Sequence, residues 1–217
     1  DQALESQPID TSEIVVTAQK RTESLQKVPT AVTVVSGETI QELGITRAED
    51  LVKLSPGLAG TKAGGVMTQF YIRGVGSTSD SAAGDPTVGI FQDEIYVGRV
   101  SGAAFDIFDM ERVEVLRGPQ GTLFGRNTSG GAVNFIPNRP EQEFYSSAYL
   151  SYGNYDAIDG RLVVNGGLTD SIAGRLSLSH RENSGFSVNL TTGAELDDDD
   201  NWSVRGQLRC TTRDKSR

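Results

Sequence analysis

The stretch RGPQGTLFGRNTSGGAVNF, residues 117–135, is the segment whose glycine-rich composition most resembles that of a ligand-binding loop. It contains five glycines: Gly118, Gly121, Gly125, Gly130 and Gly131. In one interpretation, these glycines bring backbone N–H groups close to a phosphate at the start of a helix. In the other, they permit tight turns and close backbone approach in a crowded structural segment. The spacing fits neither GxxxxGK[ST] nor GxGxxG, and Arg126 is a poor substitute for the phosphate-binding lysine, which disfavours nucleotide binding.

Other reactive residue types are sparse in the sequence. Cys210 is the single cysteine and His180 the single histidine, which excludes an intramolecular disulfide and a zinc site built on thiolates. The run Asp197–Asp200 could bind calcium through its carboxylate oxygens, but consecutive acids without EF-hand spacing favour a solvated loop. No nucleophile–base pair and no distinguished carboxylate pair is visible. We therefore expect neither an enzyme nor a bound cofactor.

Charge and hydropathy limit the partners. The formal net charge of −9, without a cluster of lysine and arginine, argues against nucleic acid. No window approaches the roughly 18 apolar residues that predict a transmembrane helix. A membrane protein built from strands stays compatible with the sequence, because the hydropathy signal of a barrel strand is much weaker per segment.

The N-terminal region begins with a polar stretch, residues 1–12, that lacks periodicity and is expected to form an arm. The segment EIVVTAQKR, residues 13–21, follows. Its run of β-branched residues, Ile14–Thr17, favours an extended backbone. It is either the first strand of a sheet or a free strand that pairs with the sheet edge of a partner.

Residues 28–140 have the pattern of an α+β domain. Thr46 and Glu49 have the spacing of a capping box at the start of the second helix. Residues 77–86 have the composition of an exposed loop. The expected elements are strands at 31–35, 69–75, 88–97 and 111–118 and helices at 37–45 and 46–57.

Beyond Pro140 the sequence alternates between apolar and polar residues with a period of two. About four strands of roughly ten residues are expected, at 143–153, 157–167, 171–181 and 201–210. Their unequal connections and terminal aromatic residues are typical of an outer-membrane β-barrel. A soluble antiparallel sandwich with one solvated face has the same alternation, and periodicity alone leaves both open.

The order of these segments resembles that of the TonB-dependent outer-membrane receptors. The resemblance is carried by EIVVTAQKR, by IRGVG at 72–76 and by ERVEVLRGPQGTLFGRNTSGGAVNFIPNRP at 111–140, followed by barrel-like strands. It implies a periplasmic arm with a TonB box in residues 1–27, an α+β plug domain in 28–140, and the first antiparallel strands of an incomplete transmembrane β-barrel in 141–217. In the family such a plug lies inside a barrel of about 22 strands.

The resemblance also implies roles for individual residues. The TonB box, which pairs with the energy-transducing protein TonB, would consist of Glu13, Ile14, Val15, Val16, Thr17 and Ala18. Arg73 and Arg117 match family arginines that hold the plug to glutamates on later barrel strands, a role that suits a bidentate guanidinium. Without the resemblance, both would be interpreted as surface arginines. The five glycines would then belong to a plug segment against the barrel wall.

The function implied is energy-coupled uptake of a scarce extracellular solute, with a ferric siderophore as the expected cargo. The partners would be TonB, outer-membrane lipid and the cargo, which the plug loops at 62–68 and 77–87 would contact. The alternative is a soluble periplasmic module with a plug-like fold that binds TonB without transporting. The behaviour of the region after residue 140 distinguishes the two.

Overall fold

The computed structural model describes residues 15–16, 23–24, 30–63, 67–77, 85–98, 106–193 and 195–211. They fall into two compact units. One comprises the described residues up to 98 together with Arg112–Ile136, and the other comprises residues 106–111 with those from Pro137 onward. The arm at 1–12 and the centres of the two predicted cargo loops, at 64–66 and 78–84, lie outside the described residues. Within the described part, no helix is long and apolar enough to cross a membrane.

The first unit is mixed α and β. Its helices are α1 (Gly37–Glu42), a 3₁₀ helix (Ala48–Lys53) and α2 (Gly121–Phe124). Its strands are β1 (Val15–Val16), β2 (Glu23–Ser24), β3 (Ala31–Ser36), β4 (Leu58–Ala63), β5 (Met67–Ile72), β6 (Val88–Gln92), β7 (Ile95–Tyr96), β8 (Met110–Arg117) and β9 (Gly131–Pro137). Met110, Glu111 and Pro137 belong by packing to the second unit.

A five-stranded sheet in the order β3-β8-β9-β6-β7 forms the centre of this unit. β3 is antiparallel to β8, β6 is parallel to β9, and β6 is antiparallel to β7. Every residue of β9 is buried. β9 therefore lacks the alternation that identifies a half-buried strand in a sequence, and periodicity does not reveal it.

Apolar side chains cover this sheet. One cluster joins Val16, Phe91, Leu116, Phe124 and Ala132, and the partly buried Val32, Val34 and Tyr96 pack against it. Phe91 and Phe124 meet edge to face with ring centroids 5.0 Å apart, a favoured aromatic geometry. The cluster connects the N-terminal β1 to the sheet.

The predicted elements of this unit are confirmed in part. The strands expected at 31–35 and 111–118 and the helix at 37–45 are present, with the Ser36 side chain accepting from the Thr39 backbone N at 3.1 Å. The strand expected at 69–75 is present as β5 but ends at Ile72. The capping box of Thr46 and Glu49 is wrong. The helix there is a 3₁₀ helix beginning at Ala48 after Arg47, and no side chain caps it.

The single strand expected at 88–97 is also wrong, because the chain forms the hairpin β6–β7. Its two-residue turn, Asp93–Glu94, has positive φ at both positions, 49° and 65°. Such turns match the twist of a hairpin but usually contain Asn and Gly. Since the pair Asp-Glu is not a usual turn marker, the reversal leaves no signal in the sequence.

The second unit consists of antiparallel strands. They are β10 (Tyr145–Tyr152), β11 (Ile158–Thr169), β12 (Ile172–Asn183), β13 (Ser187–Val188), β14 (Glu195–Leu196) and β15 (Asp199–Cys210). The four long strands make one sheet in the order β10-β11-β12-β15, and β13 pairs with β14. The four predicted strands are confirmed. In the described part the sheet does not close, and β10 and β15 are its edges.

The long strands give the sheet two chemically different faces. We call the polar face the one that contains Arg161, Arg175, Ser177, Arg181, Ser203 and Arg205. The apolar face contains the exposed side chains Leu162, Val164, Leu176, Trp202, Val204 and Leu208. Cross-strand pairing keeps each set on one side, because paired residues in neighbouring strands point to the same face.

The Asp93–Glu94 turn generates a stability prediction. Glu94→Gly should stabilise the chain by up to about 1 kcal/mol, because a left-handed conformation costs a residue with a Cβ more than it costs glycine. Urea unfolding of the chain measures this difference. Glu94→Ala keeps the Cβ and serves as the control. A Glu94→Gly variant no more stable than Glu94→Ala would contradict the assignment of strain to this turn.

Candidate functional site

The segment Asp106–Asp109 holds two buried carboxylates within an apolar stretch. Ile107 and Phe108 are buried, while the side chains of Asp106 and Asp109 are only 4% and 3% exposed. A carboxylate in such surroundings is very costly unless cations and hydrogen-bond donors surround it. The polar face of the strand sheet supplies both.

Asp109 receives donors from three directions. Arg175 forms a two-pronged ion pair with it, with Nε 2.8 Å from one carboxylate oxygen, and the Ser177 hydroxyl donates to that same oxygen. The Asn138 side-chain amide donates to the other oxygen at 2.9 Å, and its backbone N donates to the Asp109 carbonyl at 3.1 Å. Asp109 has a φ of 52°, a conformation that aspartate tolerates better than most residues.

Asp106 is held in the same way farther along the sheet. Arg181 lies 2.7 Å from one carboxylate oxygen. Asn201 and Ser203 donate to the other at 3.0 and 3.3 Å. Arg181 also donates to Asp199 at 3.0 Å, so that one guanidinium joins two carboxylates.

Arg205 fills the interval between the two aspartates. Its guanidinium donates to the carbonyls of Phe108 and Asp109 at 3.2–3.4 Å and lies 5.0 Å from the centre of the Phe108 ring. The strand register explains the arrangement, because Ser177 pairs with Arg205 and Arg181 pairs with Asn201. Alternate positions of β12 and β15 thus present a continuous row of donors to the segment.

This environment lowers the pKa of the Asp109 carboxyl. Burial by itself raises that pKa, but the hydrogen bonds from Arg175, Ser177 and Asn138 and the charge of Arg175 outweigh burial. Asp109 is therefore ionised at neutral pH. The arrangement can hold a peptide segment in a fixed position on the sheet.

Sequence reasoning identified only half of this site. The period-two alternation at 171–181 places Arg175, Ser177 and Ser179 on one face of a strand, and that at 201–210 places Ser203 and Arg205 on one face of another, but Asp106 and Asp109 are not among the predicted site residues. A signal was available, since two acids three residues apart stand among apolar residues immediately before a strand. Acidic residues that apolar residues surround become buried with them, and a buried carboxylate needs a cationic partner.

The predicted glycine segment lies in the first unit. Its chain forms the end of β8, α2 and the start of β9. Gly118 and Gly125 adopt positive φ, whereas Gly121 begins α2. The Gly118 backbone N donates to the Gly130 carbonyl at 3.1 Å, which closes the segment into a loop.

Gly131 has the strictest requirement among these glycines. Its φ is 147°, and a Cβ there would stand 2.3 Å from the Leu116 carbonyl oxygen and 2.7 Å from Ile72 Cδ1. Both distances are far below any real carbon contact. Only glycine lets β9 approach β8 and β5 this closely.

The two predicted arginines form no ion pair in the part of the chain that the structure describes. Arg73 occupies an exposed turn with a φ of 53°, and its backbone N donates to the Gly57 carbonyl at 2.8 Å. Arg117 donates from its guanidinium to the Pro56 carbonyl at 3.3 Å, while its Nε is buried without a hydrogen-bond partner. Their role in plug–barrel ion pairs stays a prediction.

Of the predicted TonB box, only Val15 and Val16 are described. They pair with Ser24 and Glu23 in a two-residue antiparallel ladder. The Val16 side chain is fully buried in the apolar cluster. Glu13, Ile14, Thr17 and Ala18 lie outside the described residues, and TonB binding stays a prediction.

Across the described ranges, no group of three or more metal-ligating side chains is present.

The packing at Gly131 generates a matched pair of substitutions. Gly131→Ala should destabilise the chain by more than about 3 kcal/mol, because its Cβ overlaps a backbone carbonyl. Gly121→Ala should change the free energy of unfolding by less than about 0.5 kcal/mol, because nothing lies within 4 Å of the added Cβ. Denaturant unfolding compares them. Equal stability of the two variants would contradict the close approach at Gly131.

The lowered pKa of Asp109 generates a pH-dependent prediction. The ionised carboxylate contributes stability above its unfolded-state pKa of about 3.9, and this contribution is lost as the pH falls through the lower folded-state value. Asp109→Asn should therefore cost about 3 kcal/mol at pH 7, because it leaves Arg175 without its carboxylate. The difference from the unsubstituted chain should shrink in acid.

Unfolding midpoints measured from pH 7 down to pH 3 check this expectation. Asp198→Asn, in an exposed loop, is the control and should match the unsubstituted chain throughout. A constant difference between Asp109→Asn and the unsubstituted chain at every pH would contradict the role of the charge.

Comparison with known proteins identifies the family. Residues 24–132 match the TonB-dependent Receptor Plug Domain family. The chain is 30% identical over 194 residues to the pesticin receptor of Yersinia pestis, covering 86% of this chain and 28% of that receptor. It is 27% identical over 189 residues to the vitamin B12 transporter BtuB of Vibrio vulnificus, covering 86% and 30%.

The fold agrees with the sequence. The structure superposes on the crystal structure of the ferric yersiniabactin uptake receptor FyuA from Yersinia pestis with a TM-score of 0.72 and 26% identity. The match covers 85% of this chain and 29% of that one. The chain thus spans less than a third of the length of the relatives it matches. It belongs to the TonB-dependent receptor family and consists of the plug domain followed by antiparallel strands like those of the solved receptors.

Proposed function

We propose that this chain is the N-terminal part of an outer-membrane receptor that takes up a scarce solute with energy delivered by TonB. The observation that carries the proposal is the union, in one chain, of a plug-family domain and a two-faced antiparallel sheet. A plug domain followed by such a sheet has the parts needed for a gated passage. The relatives are named as receptors and transporters, which agrees with a protein that performs no covalent chemistry.

The membrane assignment rests on the two faces of the sheet. The apolar face exposes Leu162, Val164, Trp202, Val204 and Leu208, a composition suited to lipid hydrocarbon. The opposite face is polar and receives the Asp106–Asp109 segment. Alternation of lipid-facing and interior residues along each strand is the pattern of a transmembrane barrel. We infer an outer-membrane location with the N-terminal arm in the periplasm.

Coupling to TonB would begin at Glu13–Ala18. An extended strand pairs with a partner through its main-chain N–H and C=O groups. In the structure, Val15 and Val16 use such groups in the ladder with β2. TonB pairing would therefore require β1 to leave β2 and Val16 to leave the apolar cluster.

The cargo proposed is a ferric siderophore. The structural relative FyuA is named as a ferric yersiniabactin uptake receptor, whereas the Vibrio relative is named as a vitamin B12 transporter. Ferric yersiniabactin and vitamin B12 are therefore the two probes to compare. Uptake of radiolabelled probe by cells that carry the gene, with and without TonB, tests the function directly.

Substitutions at Val16 test the TonB box. Val16→Pro should weaken TonB binding and abolish uptake, because proline removes a main-chain donor from the strand. Val16→Ala keeps that donor and removes buried methyl groups that hold β1 to the cluster. It should bind TonB at least as well as the unsubstituted receptor. Titration of the detergent-solubilised receptor with the TonB C-terminal domain gives both affinities.

Two results would contradict the proposal. Unchanged TonB affinity in Val16→Pro would remove Val16 from the pairing strand. A probe that the receptor takes up at the same rate with and without TonB would exclude energy-coupled transport. Fractionation is the matched control, since each variant must be recovered from the outer membrane at the level of the unsubstituted protein.

A further inference from the structure

Residues 106–111 belong to the plug domain by sequence, but they pack with the antiparallel strands that follow it. The plug-family match runs from residue 24 to residue 132 and so includes it. By contacts, however, residues 106–111 group with the chain from Pro137 onward. A short piece of the plug is therefore built into the sheet that follows it.

Its attachment is electrostatic and buried. Asp106 and Asp109 meet Arg181 and Arg175, and Arg205 holds the backbone carbonyls between them. Removing the segment would leave the buried Arg175 without its carboxylate, and Arg181 would keep only Asp199. Breaking buried ion pairs in this one-sided way is strongly unfavourable.

A second set of contacts ties the chain just before β10 to the same sheet. Asn138 bonds to Asp109 through both its side chain and its backbone. The buried Asn165 amide donates to the Glu141 and Glu143 carbonyls at 3.2 and 2.7 Å and accepts from the Glu141 backbone N at 3.0 Å. The segment is thus fixed on the sheet both directly and through the start of the strand region.

The contacts described for the N-terminal strand are of another kind. Within the described residues, β1 contributes a two-residue ladder with β2 and the Val16 side chain in an apolar cluster. Main-chain pairing and apolar packing are both uncharged contacts. A force applied at the N-terminus therefore acts first on contacts that separate easily, and it reaches Asp106 only after the preceding residues have been extended.

We propose that Asp106 and Asp109 are positioning residues that stop the unravelling of the plug. In this proposal, which rests on the proposed function, TonB extends the chain from the N-terminus up to residue 105. Residues 106–111 stay on the polar face of β12 and β15 throughout transport. The passage for cargo then opens within the part of the plug that precedes Asp106.

Covalent tethers test the proposal in the full-length receptor. Asp109→Cys with Ser177→Cys joins two side chains that contact each other through Ser177 Oγ. Val16→Cys with Ala132→Cys joins two members of the apolar cluster in the first unit. Both pairs are placed in a Cys210→Ser background, because Cys210 is an exposed free thiol. Cross-linking uses oxidation or a short bifunctional thiol reagent, and mass spectrometry measures the fraction of protein that is cross-linked.

The expected result is a contrast between the tethers. The 109–177 link should leave uptake of ferric yersiniabactin or vitamin B12 unchanged, or restore what the reduced pair has lost, because it replaces one anchor by another. The 16–132 link should abolish uptake until it is reduced. Loss of uptake with the 109–177 link, regained on reduction, would overturn the proposal.

A pulling measurement separates this proposal from the proposed function, because it needs no transport. When the membrane-embedded receptor is pulled by a handle attached at residue 1, the first extension should end at about 350 Å, the fully extended length of residues 1–105. Asp106→Asn with Asp109→Asn should shift this end point to a longer extension. Asp197→Asn with Asp198→Asn, in the exposed loop, is the matched control and should leave it unchanged. An extension that is the same with and without the charges at residues 106 and 109 would overturn the proposal, even if uptake is intact.

Discussion

The burial of Asp106 and Asp109 is the constraint on which the second unit depends. A carboxylate removed from water needs cations and donors at hydrogen-bond distance. Here they come from two neighbouring strands whose alternate residues face the same way. The polar face of the sheet is thus more than a solvated surface, because it is complementary in charge and spacing to a segment distant in the sequence. The opposite face takes no part in holding the carboxylates, and its side chains are apolar.

The first unit follows a different logic, in which shape matters more than charge. Its central strand β9 is buried over its whole length, and its neighbours approach it closely because Gly131 has no side chain. Of the described side chains near the N-terminus, Val16 of β1 joins the same packing. β1 and the Asp106–Asp109 segment thus differ in the interactions that hold them. One is held by an apolar contact that depends on shape, and the other by buried ion pairs.

Periodicity in the sequence was enough to identify the long strands, since a period of two sustained over ten residues is specific to a strand with two unlike faces. It also placed Arg175 and Ser177 on a common face. The β6–β7 hairpin and β9 were missed for opposite reasons. Asp93–Glu94 is a turn without turn residues, and β9 is a strand without alternation. The pairing of the aspartates with the strand arginines has no local signal, because Arg175 lies 66 residues beyond Asp109.

The row of donors on β12 and β15 has a consequence for how the sheet assembles. Side chains alternate between faces, so a slip of one residue in β12 would turn Arg175, Ser177 and Arg181 toward the apolar side. The two aspartates would then lose both arginines, and the mispaired sheet would lose these ion pairs with the segment. Asp106 and Asp109 therefore act as a check on strand register. Only the correctly aligned sheet can accept the segment.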